Sequence, residues 1–184
     1  MIMLKRRTLV AAGATLASAV TLRKPQAAPR IGAGWEQGAA RPADRPKLPP
    51  LTWRTADGTA RSLADYAGQA VVLNLWATWC VPCVAEMPSL DRLAGLVAGS
   101  GIAVLPLSSD RGGAAMVEKF YKSREVRHLP ILLDPMGAAM RALDVQGIPT
   151  TLLIDPQGRE QSRVEGAIDW TTPEVVARVM KLVK

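Results

Sequence analysis

Two cysteines, Cys80 and Cys83, are the side chains of this sequence best suited to redox chemistry. They are the only cysteines among 184 residues, and two residues separate them. The apolar run 71–76, which predicts a buried strand, ends just before them, and residues 81–98 predict a helix that begins between them. A helix N-terminus stabilises a thiolate through its dipole and its unpaired N–H groups. This placement therefore predicts a redox-active dithiol.

Half of a zinc site and chance placement in the core are the alternative explanations of the cysteine pair. Structural zinc sites use about four ligands, whereas this sequence has no third cysteine and a single histidine, His128. We therefore expect no metal site and no cofactor. His128 itself is predicted to be a surface or loop histidine.

Glu86 is a candidate proton carrier for the dithiol. It follows Cys83 by three residues, which places both side chains on the same face of the predicted helix. A carboxyl group buried there would have a raised pKa and could pass protons to and from the thiols. The alternative is a first-turn glutamate that the helix dipole simply favours.

The residues around the cysteines resemble the thioredoxin superfamily, and within it the TlpA-type, membrane-tethered thiol–disulfide oxidoreductases of bacteria, whose relatives serve cytochrome c maturation. The resemblance extends from about Leu51 to the C-terminus. Such relatives carry a glutamate at the position that matches Glu86. The segments that carry the resemblance are 74–83, 86–88, 147–150, 152–155 and 166–170.

The two sulfurs and the loop opposite them are expected to have distinct roles. Cys80, at the start of the helix and the exposed end of the strand, should have the lower pKa and attack substrate disulfides, while Cys83 resolves the mixed disulfide. The resemblance implies a cis peptide bond at Pro149, which would face the dithiol and present the backbone of Ile148 to a substrate strand. An ordinary trans proline is the alternative. Trp79 is expected to line the same contact surface.

Strands and helices alternate along the chain, which predicts an α/β sheet covered by helices on both faces. The resemblance implies a thioredoxin-like fold with a central mixed sheet and an added helix and strand within 111–134. Strands are predicted at 51–54, at a sheet edge, and at 71–76, 102–107, 129–133, 150–154 and 159–164. Helices are predicted at 81–98, 113–124, 135–143 and 173–183, with a short helical turn that begins at Ser62.

Residues 1–28 have the pattern of an export signal. Lys5, Arg6 and Arg7 precede the uncharged stretch 8–22. The arginine pair also fits twin-arginine export, with the unfolded route as the alternative. An apolar stretch of about 15 residues is short for a bilayer span of about 20, which does not favour retention as a membrane anchor.

The remainder divides into a tether and one domain. Residues 29–50, rich in proline and glycine, predict a semi-extended tether, and residues 51–184 predict a single domain. The net charge of +7 comes mostly from the signal, since residues 1–28 hold five basic and no acidic side chains and leave 18 basic and 16 acidic ones elsewhere. No basic stripe then remains for a nucleic-acid partner.

The resemblance implies a periplasmic protein-disulfide reductase, expected to be monomeric. It would take electrons from a membrane thiol donor and reduce cysteine pairs in apocytochrome c or in copper-site assembly proteins. A copper-binding assembly factor and a thiol oxidant or isomerase are alternatives, because thiolates also bind Cu(I) and disulfide exchange can run in either direction. A thiol peroxidase would need threonine three residues before the attacking cysteine, where this sequence has Ala77.

Overall fold

The computed structural model describes residues 47–183, so the predicted export signal and most of the predicted tether lie outside the described residues. Within 47–183, seven strands form one mixed sheet in the order β2-β1-β5-β4-β3-β6-β7. The strands are β1 (Thr52–Thr55), β2 (Ala60–Ser62), β3 (Ala70–Trp76), β4 (Ile102–Ser108), β5 (Leu132–Leu133), β6 (Thr150–Ile154) and β7 (Glu160–Glu165). The α-helices of the same part are α1 (Val81–Leu96), α2 (Gly113–Arg124), α3 (Ala138–Ala142) and α4 (Pro173–Met180).

The central strand β3 carries the chain to the dithiol. All seven of its residues are buried. It pairs in parallel with β4 on one side and antiparallel with β6 on the other. A nearly unbroken apolar run suits a strand covered on both faces, so the strand predicted at 71–76 is confirmed.

Helices cover both faces of the sheet. On one face α1, α2 and α4 share a buried cluster that includes Met87, Val117 and Val179. On the other face α3 and the residues before β1 pack around Leu51 and Leu143. The predicted α/β, thioredoxin-like fold class is confirmed. No helix within residues 47–183 is both long enough and apolar enough to cross a bilayer.

β1 was predicted as an edge strand, but it lies inside the sheet. The short strand β2 pairs with it on one side and β5 on the other. The turn between β1 and β2 uses Gly58 with a φ of 84°, and the N–H of Gly58 donates to the carbonyl of Thr55 at 3.0 Å. Three residues are too few to show an alternating pattern, so β2 was not predicted.

The strand predicted at 129–133 is shorter than expected. A helix and a strand do follow β4, but the strand is limited to Leu132–Leu133. The N–H of Leu129 donates instead to the Asp91 carboxylate at 3.2 Å. That donor is therefore not available for pairing within the sheet.

The helix predicted at 135–143 also begins later, at Ala138. The carboxylate of Asp134 accepts hydrogen bonds from the N–H groups of Ala138 and Ala139 at 2.9 and 2.7 Å. Gly137 takes a φ of 64° just before the helix, so the chain turns there. Residues 135–137 consequently form a loop, in which Pro135 and Met136 are exposed.

One face of the helix α1 is buried. Leu90 and Leu93 on this face are fully buried, whereas Leu96 in the last turn is 63% exposed. The helix ends at Leu96, and Val97, the next residue, is buried in its place.

The end of the predicted tether contacts the domain. The N–H of Leu48 donates to the carbonyl of Gly158 at 2.9 Å, and Lys47 forms an isolated bridge with Arg159. Leu48 also packs against the buried cluster beneath α3.

Candidate active site

Cys80 and Cys83 form a disulfide at the N-terminus of α1. Their sulfurs are 2.07 Å apart and their Cα atoms 5.2 Å apart. Cys80 is the N-cap residue of the helix, and its Sγ accepts a hydrogen bond from the N–H of Cys83 at 3.3 Å. The helix dipole and this N–H would stabilise negative charge on the sulfur once the disulfide opens.

The two sulfurs differ in burial. Cys83 is fully buried, whereas Cys80 is 6% exposed. Cys83 is thus the more deeply buried of the two, as predicted, but Cys80 is less accessible than expected. Its neighbours Trp79 and Val81, rather than the sulfur, extend into solvent.

The loop before β6 faces the disulfide. The Ile148–Pro149 peptide bond is cis, the isomer that the resemblance implies. The carbonyl oxygen of Ile148 lies 3.6 Å from Sγ of Cys80. Antiparallel pairing explains this approach, because the end of β3 lies beside the start of β6, with Leu75 opposite Thr150.

Glu86 is buried within the first two turns of α1. Its Oε1 accepts a hydrogen bond from Nδ2 of Asn74 at 2.8 Å, and its Oε2 accepts from Nε1 of Trp170 at 3.1 Å and from the N–H of Ile168 at 3.3 Å. Burial raises the pKa of Glu86 to about 7, although these hydrogen bonds oppose the shift. The carboxyl group can thus exchange a proton near neutral pH, one helical turn after Cys83.

Asn74 holds Glu86 from the sheet side. Its amide also donates to Oγ1 of Thr151 on β6 at 2.8 Å. Its own Oδ1 is buried and has no hydrogen-bond partner within residues 47–183. Rotation of the amide would turn this oxygen toward Glu86, where it could accept the O–H of the protonated acid.

Asp110, which sequence reasoning missed, positions the segment before Cys80. Its fully buried carboxylate accepts hydrogen bonds from the N–H and the hydroxyl of Thr78 at 2.9 and 2.7 Å, and from the hydroxyl of Ser108 at 2.8 Å. A signal was present, because Asp110 follows β4 closely, and the carboxyl ends of parallel strands meet at one sheet edge.

Trp76 and Trp79 have different environments. Trp76 is fully buried, and its ring centroid lies 5.2 Å from that of Phe120 and 6.0 Å from that of Tyr121. Trp79 is 67% exposed and lies next to Cys80. Of these two tryptophans, Trp79 is therefore the one that a partner protein could contact.

His128 is remote from the dithiol. Its Nδ1 lies 3.0 Å from Oδ2 of Asp91, and its ring approaches Gly95 near the end of α1. At about 1.5 Å per residue, this end of α1 is roughly 20 Å from Cys80. Among the residues that the structure describes, no group of three His, Cys, Asp or Glu side chains could hold a metal ion.

Known proteins resemble this chain in both sequence and structure. Residues 45–161 match the AhpC/TSA family. The thiol-disulfide oxidoreductase ResA of Geobacillus kaustophilus is 33% identical over 127 residues, which cover 69% of this chain and 70% of ResA.

Two solved structures have a similar fold. A protein of Chlorobium tepidum described as thiol:disulfide interchange protein DsbE superposes with a TM-score of 0.68 at 24% identity, over 76% of this chain and 97% of its own, which shows the common fold. The exposed lipoprotein thioredoxin Etrx1 of Streptococcus pneumoniae superposes with a TM-score of 0.61 at 28% identity, over 72% and 98%.

Proposed function

The chain belongs to the AhpC/TSA family, and we propose that this thiol–disulfide oxidoreductase is an exported reductase of cysteine pairs in other proteins. The observation that carries the proposal is the Cys80–Cys83 pair at the N-terminus of α1, with the buried Glu86 carboxyl one turn further along the helix. In this proposal Cys80 is the nucleophile, Cys83 the resolving thiol and Glu86 the proton carrier.

The first step uses the reduced dithiol. The Cys80 thiolate attacks one sulfur of a substrate disulfide, so a Cys80–substrate bond forms, the substrate S–S bond breaks and its second sulfur leaves as a thiolate. The α1 dipole and the N–H of Cys83 lower the pKa of the attacking thiol.

The second step closes the Cys80–Cys83 disulfide present in the structure. Cys83 gives its proton to Glu86 and attacks the Cys80 sulfur of the mixed disulfide, which releases the other substrate sulfur. The two substrate thiolates take up two protons, one that Glu86 passes on from Cys83 and one that Cys80 released to solvent when it ionised. The dithiol thus loses two electrons and two protons to the substrate cysteines, and a carboxyl with a pKa near 7 suits such transfers at neutral pH.

The substrate is proposed to lie along the surface around Cys80. The exposed ring of Trp79 offers apolar contact area there. The cis-proline loop, with the carbonyl of Ile148 at 3.6 Å from Sγ of Cys80, offers backbone groups to an extended substrate segment, with Pro149 against the dithiol.

We place the protein in the periplasm, with residues 1–28 as the export signal, 29–50 as a tether and 51–184 as the domain. The basic and then apolar pattern of residues 1–28 supports this. A protein of similar fold, Etrx1, is described as an exposed lipoprotein thioredoxin, which agrees with this location.

The proposed partners follow from the TlpA-type resemblance. A membrane thiol donor would restore the dithiol after each cycle. The substrates would be cysteine pairs in apocytochrome c or in copper-site proteins, which must be reduced before their metal cofactor binds. We expect the protein to work as a monomer.

The reduction potential of the Cys80–Cys83 pair, measured at equilibrium against glutathione, tests the direction of electron flow. A reductase needs a potential nearer that of thioredoxin, roughly −270 mV, than that of the oxidant DsbA, about −120 mV. Acid trapping of thiols in cells should find the pair mostly reduced. A potential near that of DsbA, or a fully oxidised pair in cells, would identify an oxidant or isomerase instead.

A further inference from the structure

We propose that Asp110 makes the Cys80–Cys83 pair a stronger reductant, because it holds a fixed negative charge beside the sulfur of Cys80. Negative charge there disfavours the thiolate of the reduced protein and so favours the disulfide. The inference rests on the proposed function, since it concerns the reducing strength of the same dithiol. It assigns an electrostatic role to Asp110, in addition to its contacts with the segment before Cys80.

Asp110 is buried, and neutral donors hold its carboxylate. The residue is fully buried, and the ion pairs found within residues 47–183 do not include it. Its Oδ1 accepts from the hydroxyl of Thr78 at 2.7 Å, and its Oδ2 accepts from the N–H of Thr78 at 2.9 Å and from the hydroxyl of Ser108 at 2.8 Å. Both oxygens thus act as acceptors, as those of an ionised carboxylate do.

The carboxylate of Asp110 lies close to the reactive sulfur. It bonds to the backbone of Thr78, which belongs to the turn that the N–H of Cys80 closes by donating to the carbonyl of Ala77 at 3.2 Å. The ends of such a turn are less than about 7 Å apart. The carboxylate is therefore on the order of 10 Å from Sγ of Cys80.

The fold fixes this distance. Asp110 follows β4 and Thr78 follows β3, two parallel strands whose ends lie side by side. The N–H of Ser109 donates to the carbonyl of Trp76 at 3.0 Å and so joins the two strand ends. The N–H of Asp110 donates to the hydroxyl of Ser108 at 3.0 Å. The charge consequently keeps its place when the disulfide opens, because these contacts involve neither sulfur.

A neutral side chain could hold the same segment. The oxygen of an asparagine at position 110 could accept from the N–H of Thr78, while its amide could donate to the Thr78 hydroxyl. Burying a neutral amide also costs less free energy than burying a charge. What the carboxylate adds is therefore negative charge, which the surrounding protein screens less than water would.

Glu86 and Asp110 approach the dithiol from different elements and differ in their chemistry. Glu86, on α1, has a pKa of about 7 and can therefore release and take up a proton during the cycle. Asp110, after β4, has both oxygens engaged by donors. The next residue, Arg111, is exposed, so water screens its positive charge. Glu86 thus moves protons, whereas Asp110 supplies a constant field at Cys80.

Asp110→Asn in the full chain tests the proposal, because it removes the charge and keeps atoms that can form hydrogen bonds. The first readout is the thiolate-to-thiol ratio of Cys80, taken from its rate of alkylation by iodoacetamide as the pH is raised. The second is the equilibrium constant for oxidation of the dithiol by glutathione disulfide at about pH 9, where thiolate is present. Thr78→Val, which keeps the charge but removes one hydrogen bond, and Glu118→Gln, which removes an exposed charge on α2, are the controls.

We expect Asp110→Asn to raise the thiolate-to-thiol ratio about tenfold at a given pH, the effect of removing one charge at about 10 Å within a protein. The equilibrium constant should fall by up to about tenfold, which makes the potential up to about 30 mV less negative. The ratio should not rise in either control.

An unchanged ratio in Asp110→Asn, or an equal rise in Thr78→Val, would overturn the inference. If urea unfolding shows that Asp110→Asn is not folded, Asp110→Ser removes the same charge and must give the same rise. The proposed function fails separately, if the potential of the unaltered protein lies near that of DsbA.

Discussion

Trp170 donates its indole N–H to Oε2 of Glu86 at 3.1 Å and joins the segment before α4 to the first turns of α1. The two residues are 84 positions apart in the chain. Trp170 is fully buried, and a buried indole N–H without an acceptor costs free energy. Glu86 therefore connects two parts of the fold at the position where a proton carrier is proposed, so its variants affect both chemistry and packing.

Replacing Glu86 with Gln should slow disulfide exchange about 100-fold near neutral pH, because the amide cannot carry a proton. The pH profile of the rate should also lose its inflection near 7, the pKa of the buried carboxyl. Stopped-flow measurement of exchange between pH 5 and 9 tests this. An unchanged rate and profile would make Glu86 a purely structural residue.

The stability of the oxidised protein should depend on pH through the same group. Burial raises the pKa of Glu86 from 4.5 to about 7, so its contribution to stability is fully present below pH 4.5 and is lost as the pH rises to about 7. Between pH 5 and 8 this loss is on the order of 2 kcal/mol.

Urea unfolding of the oxidised protein at pH 5 and pH 8 measures that loss. Glu86→Gln stays neutral at both pH values, so it should show a free energy of unfolding that changes less over this interval. Equal changes in the two proteins would contradict the raised pKa.

Replacing Asn74 with Ala should raise the pKa of Glu86 further. The hydrogen bond from Asn74 is the largest of the contributions that lower this pKa, and alanine removes it. The inflection of the rate profile should then move to higher pH. In the Glu86→Gln background, which should have no inflection near pH 7, the same substitution should leave the rate profile unchanged. An inflection that persists in that background and shifts with Asn74→Ala would belong to another group.

Cys83→Ser should accumulate mixed disulfides with partner proteins, whereas Cys80→Ser should accumulate none. The reason is that Cys80, at the N-cap and the less buried of the two, makes the first attack, and only Cys83 can resolve the product. Mass spectrometry after alkylation of the reduced protein checks the assignment. Preferential alkylation of Cys83 at mildly acidic pH would reverse it.

Asp110→Ala should reduce the free energy of unfolding by about 3 kcal/mol or more, because the Thr78 and Ser108 donors lose their buried acceptor. Disulfide exchange should slow as well, since Thr78 lies two residues before Cys80. Urea unfolding measures the loss. Glu118→Ala is the control, since Glu118 is exposed on α2 and its replacement should change the free energy of unfolding by less than about 1 kcal/mol. A loss no larger than that of the control would show that Asp110 does not hold this segment.

The local sequence was sufficient for the dithiol and for the elements beside it. A strand, a Cys-x-x-Cys pair and a helix follow one another within about 30 residues, so their order already places Cys80 at a helix N-terminus. Helix α2 and strand β6 have the bounds that their patterns predict, because apolar spacing within one segment decides them.

Contacts between distant segments decided the features that the local sequence did not predict. The pKa of Glu86 depends on Asn74, Ile168 and Trp170, which come from β3 and from the segment before α4. The inner position of β1 depends on pairing with β5, almost 80 residues later.

The surface beside Cys80 likewise joins α2, the loop before α3 and the cis-proline loop. The sequence by itself thus identified the two sulfurs of the dithiol, because a Cys-x-x-Cys pair consists of residues that are close together in the chain. Burial, hydrogen bonding and surface shape depend on which segments meet, so the tertiary structure alone decided how protons are held and where a substrate can lie.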